Sequence, residues 1–109
     1  MRRLLFLPLL CWALAAQEKP SYKVAIIGLV HAHVWGHLHT ILEGKTVTLA
    51  GISEPNPELV DEAKKMGVDD ALFFPDYSKM LDRTAPDIVW AFVENNRHLE
   101  IAKACAQRH

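Results

Sequence analysis

Tyr22-Lys23-Val24-Ala25-Ile26-Ile27-Gly28 is an apolar, β-branched run that ends on glycine, and Leu29-Val30-His31-Ala32-His33 follows it before a helical pattern begins. The composition of the run predicts a strand buried on both faces. Beyond the turn, Val34, Trp35, Leu38, Ile41 and Leu42 fall on one helical stripe, and Gly44 stops it. A strand–glycine–helix unit at the start of a domain is the seed of a parallel sheet, because the helix must carry the chain back before the next strand can pair.

The same alternation continues to the end of the chain. Thr46 to Ile52 reads as a second strand. Asn56-Pro57-Glu58 supplies a cap, a proline at the first helical position and an acid in the first turn. The helix that follows is expected to turn Leu59, Val60, Ala63 and Met66 inward and to end at Gly67. Ala71 to Phe74 is a short third strand, and Asp76 caps a brief helix with Tyr77, Met80 and Leu81 inward. Asp87 to Val93 is a fourth strand, and Arg97 to Gln107 a last helix with Leu99, Ala102 and Ala106 on one face. Trp35 and Trp90 read as core residues and Cys105 as a small buried hydrophobe. Four β-α units with right-handed crossovers predict an α/β, doubly wound parallel sheet of order 3-2-1-4. Ligands bind such sheets beyond the carboxyl ends of the strands. The loops to search are therefore Gly28 to His33, Ser53-Glu54 and Val93 to His98.

The N-terminus has a different character. Met1-Arg2-Arg3 is basic, Leu4 to Leu14 is nearly all apolar, and Ala13-Leu14-Ala15-Ala16 offers small residues at a cleavage site. Residues 1–16 are therefore expected to be a secretory signal peptide, and 21–109 the domain itself. The apolar run falls short of the ~20 residues that span a bilayer, so no membrane span is expected after cleavage. Arg2-Arg3 loosely fits a twin-arginine export signal, and the mature protein is expected to be periplasmic or secreted. Removing the leader takes away two arginines and Cys11, leaving Cys105 without an internal disulfide partner. Lys and Arg number 12 against 13 Asp and Glu, so no cationic excess exists to neutralise a nucleic acid.

Several of these stretches, in their order, resemble one family. They are Val24-Ala25-Ile26-Ile27-Gly28, Ser53-Glu54-Pro55-Asn56, Pro75-Asp76-Tyr77, and Pro86-Asp87-Ile88-Val89 leading to Asn95-Asn96-Arg97-His98. Ala104 to His109 resembles a conserved helix end of the same family. From Tyr22 to His109 the chain resembles the first half of the nucleotide-binding domain of the Gfo/Idh/MocA oxidoreductases, the sugar and inositol dehydrogenases. The resemblance implies a Rossmann-like fold, a nicotinamide cofactor and a sugar or polyol substrate in the complete protein. It also implies that the catalytic lysine, in a Glu-Lys-Pro motif, and the substrate domain lie beyond His109, so that this chain alone is inactive.

The residues depart from the dinucleotide fingerprint G-x-G-x-x-G/A in two of three glycine positions. Gly28 is kept, Val30 puts a branched side chain where backbone approaches phosphate, and His33 replaces a small residue at the helix–strand contact. Backbone N–H groups at the helix start still favour an anion, and His31 or His33 can add donors. The expected cofactor-binding set is Gly28, Leu29, Val30, His31, His33, Glu54, Asn95 and His98. Glu54, 26 residues after Gly28, stands where an acid takes the ribose hydroxyls; no arginine follows it, so NAD is expected over NADP. Asn95 and His98 match the family's Asn-x-x-His on the nicotinamide side, although Glu94 stands where proline is usual.

Two other readings fit the same residues. A non-catalytic binding or interaction module would have kept the sheet and lost dinucleotide affinity, as Val30 and His33 suggest, and an open sheet edge would favour a homo-oligomer. A His-rich metal protein would use His33 and His37, which are i and i+4 on a helix. No cysteine or third acid is spaced to complete such a site.

Overall fold

The computed structural model describes residues 21–108; the predicted leader, 1–16, lies outside them. Four parallel strands, β1 (Tyr22–Ile27), β2 (Val47–Ser53), β3 (Phe73–Phe74) and β4 (Ile88–Ala91), stand in the order β3-β2-β1-β4. The helices are α1 (His33–Glu43), α2 (Pro57–Lys65), α3 (Tyr77–Thr84) and α4 (His98–Ala106). The doubly wound order expected from the sequence is the one observed.

Alternate residues of β1 feed two cores. Val24 and Ile26 join Leu29, Val34, Leu38, Ile41, Leu49, Ile52, Ala63 and Val68 under α1 and α2. Ala25 and Ile27 join Met80, Leu81, Val93 and Ile101 under α3 and α4. Burying one such large side chain stabilises by about 1.5–3 kcal/mol, so β1, covered on both faces, anchors the domain. The β1–β2 register shifts between Val24 and Ala25: Val24 faces Leu49, Ala25 faces Gly51, and Ala50 is the extra residue. A side chain at Gly51 would press on Phe74 and Met80, at 3.0 and 3.1 Å.

The helix ends follow their local chemistry. The Asn56 side chain accepts from the Glu58 N–H at 3.0 Å, and Asp76 accepts from the Ser78 N–H at 2.7 Å. Both are side-chain N-caps that satisfy donors with no helical partner. Along its length α3 is tied to the turn after α4, where the Arg108 Nε–H donates to Asp82 Oδ1 at 2.7 Å and Nη2 to Ser78 Oγ at 2.7 Å.

Four expectations about the elements are corrected. The third strand is only Phe73–Phe74, because Asp69 caps a 3-10 turn over Asp70–Leu72 that uses up the residues before it. Met66 is 36 % exposed; α2 ends at Lys65, and Gly67, at φ +108°, turns the chain so that Val68 enters the core instead. On α4, Leu99 is 66 % exposed, and the inward residues are Ile101, Ala104 and Cys105. Residues 101, 104 and 105 share one helical side, and Arg108, in the turn just past α4, reaches α3 from the same end. The fourth strand is likewise shorter than expected, ending at Ala91.

Candidate functional site

The carboxyl ends of β1, β2, β3 and β4 meet around a cleft of about 390 Å3, lined among others by Gly28, Val30, Glu54, Pro75, Tyr77 and Arg97. Its floor is the β1–α1 turn. Gly28 sits at φ +81°, and a Cβ there would stand 2.6 Å from both the Phe92 carbonyl oxygen and Val93 Cγ1. Left-handed backbone and close approach together require glycine at this point.

Each of the next residues is tied to a neighbouring strand end. The Gly28 N–H donates to the Ser53 carbonyl at 2.8 Å, and the Val30 N–H to the Phe92 carbonyl at 3.1 Å. The Leu29 N–H donates to Glu54 Oε2 at 2.6 Å. Glu54 also accepts from the Asn56 N–H through Oε1, at 2.8 Å. Only 7 % exposed, Glu54 braces the glycine turn against the start of the β2–α2 loop. Charge-assisted bonds to backbone N–H groups are the ordinary way to hold a buried carboxylate. Each oxygen keeps a further lone pair for another donor.

The expected site residues divide into groups. Gly28, Val30 and Glu54 line the cleft, with Val30 half exposed at its mouth. Leu29 contributes only backbone, since its side chain lies in the core. His31 reaches over to the Val93 carbonyl, Nε2 to O 2.8 Å. His33 opens α1 and is exposed, so it does not fill the helix–strand contact as expected; Val34 and Leu38, both fully buried, do. Asn95 is exposed in a 3-10 turn, Asn95–Arg97, that leads into α4. His98 lines a second hollow of about 860 Å3 along β4 and α4, apart from the Gly28 cleft.

The β3–α3 loop, outside the expected set of loops, is a further wall of this cleft. Pro75, Asp76 and Tyr77 border it because β3, although only two residues long, ends level with β2. Strand order alone indicated that loop, since β3 neighbours β2 in the predicted sheet. Arg97 is the cation bordering the cleft; its Nε–H donates to Glu100 Oε1 at 2.9 Å, and Glu94 lies 3.9 Å from its Nη1.

At the start of α1, Ala32 gives no side-chain cap and the first turn holds no acid, which leaves that end open to an anion. His37, one turn after His33, packs its ring against Trp90 at 5.1 Å and Phe92 at 5.9 Å between centroids. Among the described residues no three His, Cys, Asp or Glu side chains converge on a metal position. No helix among them is long and apolar enough to cross a membrane.

Residues 22–109 match the Gfo/Idh/MocA profile, described as an oxidoreductase family with an NAD-binding Rossmann fold. Scyllo-inositol dehydrogenase from Lactobacillus casei, solved with NAD(H) and scyllo-inositol bound, superposes with a TM-score of 0.67 at 23 % identity over 82 % of this chain. Its apo form gives a TM-score of 0.69 at 22 % identity over 83 % of this chain. At such identities the likeness is one of fold. This chain spans about a quarter, 26 %, of the length of those structures. No curated protein sequence matches it. With nearly the whole described region inside the family profile, and with the strand order and glycine turn that a dinucleotide fold needs, the chain belongs to the Gfo/Idh/MocA oxidoreductases and forms their NAD-binding Rossmann domain.

Proposed function

We propose that this chain is the NAD-binding portion of an exported oxidoreductase that acts on a sugar or polyol hydroxyl. The observation that carries the reading is the Gly28 turn: left-handed, sealed against Phe92 and Val93, and braced by the Glu54 carboxylate. A side chain at Gly28 would fill the turn, so the cradle fits a dinucleotide even though the other two fingerprint glycines are replaced.

In this reading the uncapped start of α1 and the turn from Gly28 to His33 hold the pyrophosphate. Glu54 offers its remaining lone pairs to the adenosine ribose hydroxyls and repels a 2′-phosphate, which favours NAD over NADP. Asn95 and His98, expected on the nicotinamide side, lie outside the Gly28 cleft, and the reading does not rest on them. When bound, NAD supplies the hydride acceptor; the chain's own residues bind and orient it. The substrate class rests on the family and on the scyllo-inositol dehydrogenases of the same fold. Export rests on the leader at residues 1–16, and N-terminal sequencing of the exported protein is expected to find its first residue near Ala16.

Titration of NAD and NADP against the chain, followed by Trp35 and Trp90 fluorescence, tests the binding. Saturable binding of NAD, weaker for NADP, is expected; no saturable change up to millimolar NAD overturns the reading. The rival, a non-catalytic interaction module, is favoured by one observation: Val30 stands half exposed at the mouth of the cleft, where a smaller residue would admit phosphate.

A further inference from the structure

Four successive residues of the β1–α1 turn are tied in two pairs, one to each flanking strand end. Gly28 and Leu29 bond to Ser53 and Glu54 at the end of β2. Val30 and His31 bond to Phe92 and Val93 after β4, and His31 alone does so through its side chain. From this pattern we infer that His31 is a positioning residue: its ring clasps the turn to the β4 loop and holds the turn rigid. The inference rests on the NAD-binding reading above.

The chemistry of the contact fixes the state of the ring. The Val93 carbonyl can only accept, so Nε2 carries the proton and donates it, and in the neutral ring Nδ1 is the bare nitrogen. The bond therefore survives protonation of the ring, because Nε2–H is present in both forms. Val93 is the residue whose side chain lies 2.6 Å from a Cβ built on Gly28. Holding its carbonyl holds that side chain over the glycine and keeps the turn closed.

The same pattern decides which donors a ligand can use. The N–H groups of Leu29 and Val30 are spent on Glu54 and Phe92. An anion must then be received further along, from the His31 N–H into the first turn of α1. A clasp at residue 31 orients those N–H groups, and this gives His31 an effect on phosphate affinity beyond its effect on folding.

The test compares wild type with H31A and H31Q, since a glutamine amide can donate to the same carbonyl. Three readouts are taken: NAD affinity, the ring tautomer of His31 by 15N NMR, and exchange of the Leu29 and Val30 amide protons. The expected result is a ring protonated on Nε2, NAD affinity about tenfold weaker in H31A, and affinity within about threefold of wild type in H31Q. Faster exchange of both amides in H31A is expected with it. A neutral ring protonated on Nδ1 overturns the clasp, as does H31A binding NAD like wild type, or H31Q as weak as H31A. If wild type itself fails to bind NAD, the functional reading falls, and the tautomer and amide exchange alone decide for or against the clasp.

Discussion

Replacing Gly28 with alanine separates the two demands made on that position, and the other glycines provide the controls. At φ +81° an alanine carries the left-handed penalty, about 1–2 kcal/mol. Its methyl group would also stand 2.6 Å from the Phe92 oxygen, a backbone atom that cannot swing aside, and overpacking of this kind costs about 1–3 kcal/mol. The expected loss for G28A is therefore about 2–5 kcal/mol, a large part of the ~5–15 kcal/mol that holds a domain of this size together. Gly67 lies at φ +108° with nothing within 4 Å of an added Cβ, so G67A should lose only the backbone part, about 1–2 kcal/mol. Gly36, inside α1 and equally open, should gain about 0.5–1 kcal/mol as G36A. Urea unfolding of the three variants measures these directly, with G28A falling by about 1–2 M in midpoint relative to wild type. A G28A variant no less stable than G67A would refute the argument, because the contact with Phe92 and Val93 would then contribute nothing.

Three further outcomes follow from the same geometry. Glu54 faces two N–H donors, so an E54Q amide must present its NH2 to one of them; stability should fall by about 1–3 kcal/mol in denaturant titration, and NAD binding should weaken with it. Val30 blocks the mouth of the cleft, and V30G should raise NAD affinity about tenfold in calorimetry while lowering stability by about 0.5–1 kcal/mol. The hydrogen bond from Arg108 holds the Asp82 carboxyl below the usual carboxylate range. A depressed carboxylate stabilises the fold above its unfolded value, and that contribution is lost as pH falls through the lowered one. NMR titration should find Asp82 low in wild type and back near the ordinary aspartate value in R108A, with the α3–α4 tie weakening only in acid.

Which parts of this architecture the sequence revealed depends on how local their causes are. Strand β1, the caps at Asn56 and Asp76, and the strand order are all readable, because composition and capping chemistry act over a few residues at a time and right-handed crossovers leave few ways to order the strands. Leu99 and Met66 are misplaced by pattern alone because each belongs to a plausible helical stripe whose burial is settled elsewhere, by the packing of Ile101, Ala104 and Cys105 against the sheet and by the Gly67 reversal after α2. Glu54 was found by its spacing, but not its inward brace on Leu29 and Asn56. That brace depends on two loops meeting in space, which no pattern along the chain encodes. The aromatic packing of His37 on Trp90 and Phe92 was hidden for the same reason, and it gives that histidine a partner other than His33.

The extra residue at Ala50 has a further meaning for the distance between glycine and acid. Leu49 and Ile52 are an odd number of positions apart, yet both join the core under α1 and α2, because Ala50 is taken up in the shifted register. Downstream of it, Ser53 stands opposite Ile27, so Glu54 follows level with the glycine turn and can reach the Leu29 N–H. The count of residues from one motif to the next thus contains slack stored in the middle of a strand. Relatives that omit or add a residue at this point can keep the acid in place, and a spacing rule applied to sequence alone would pass over them.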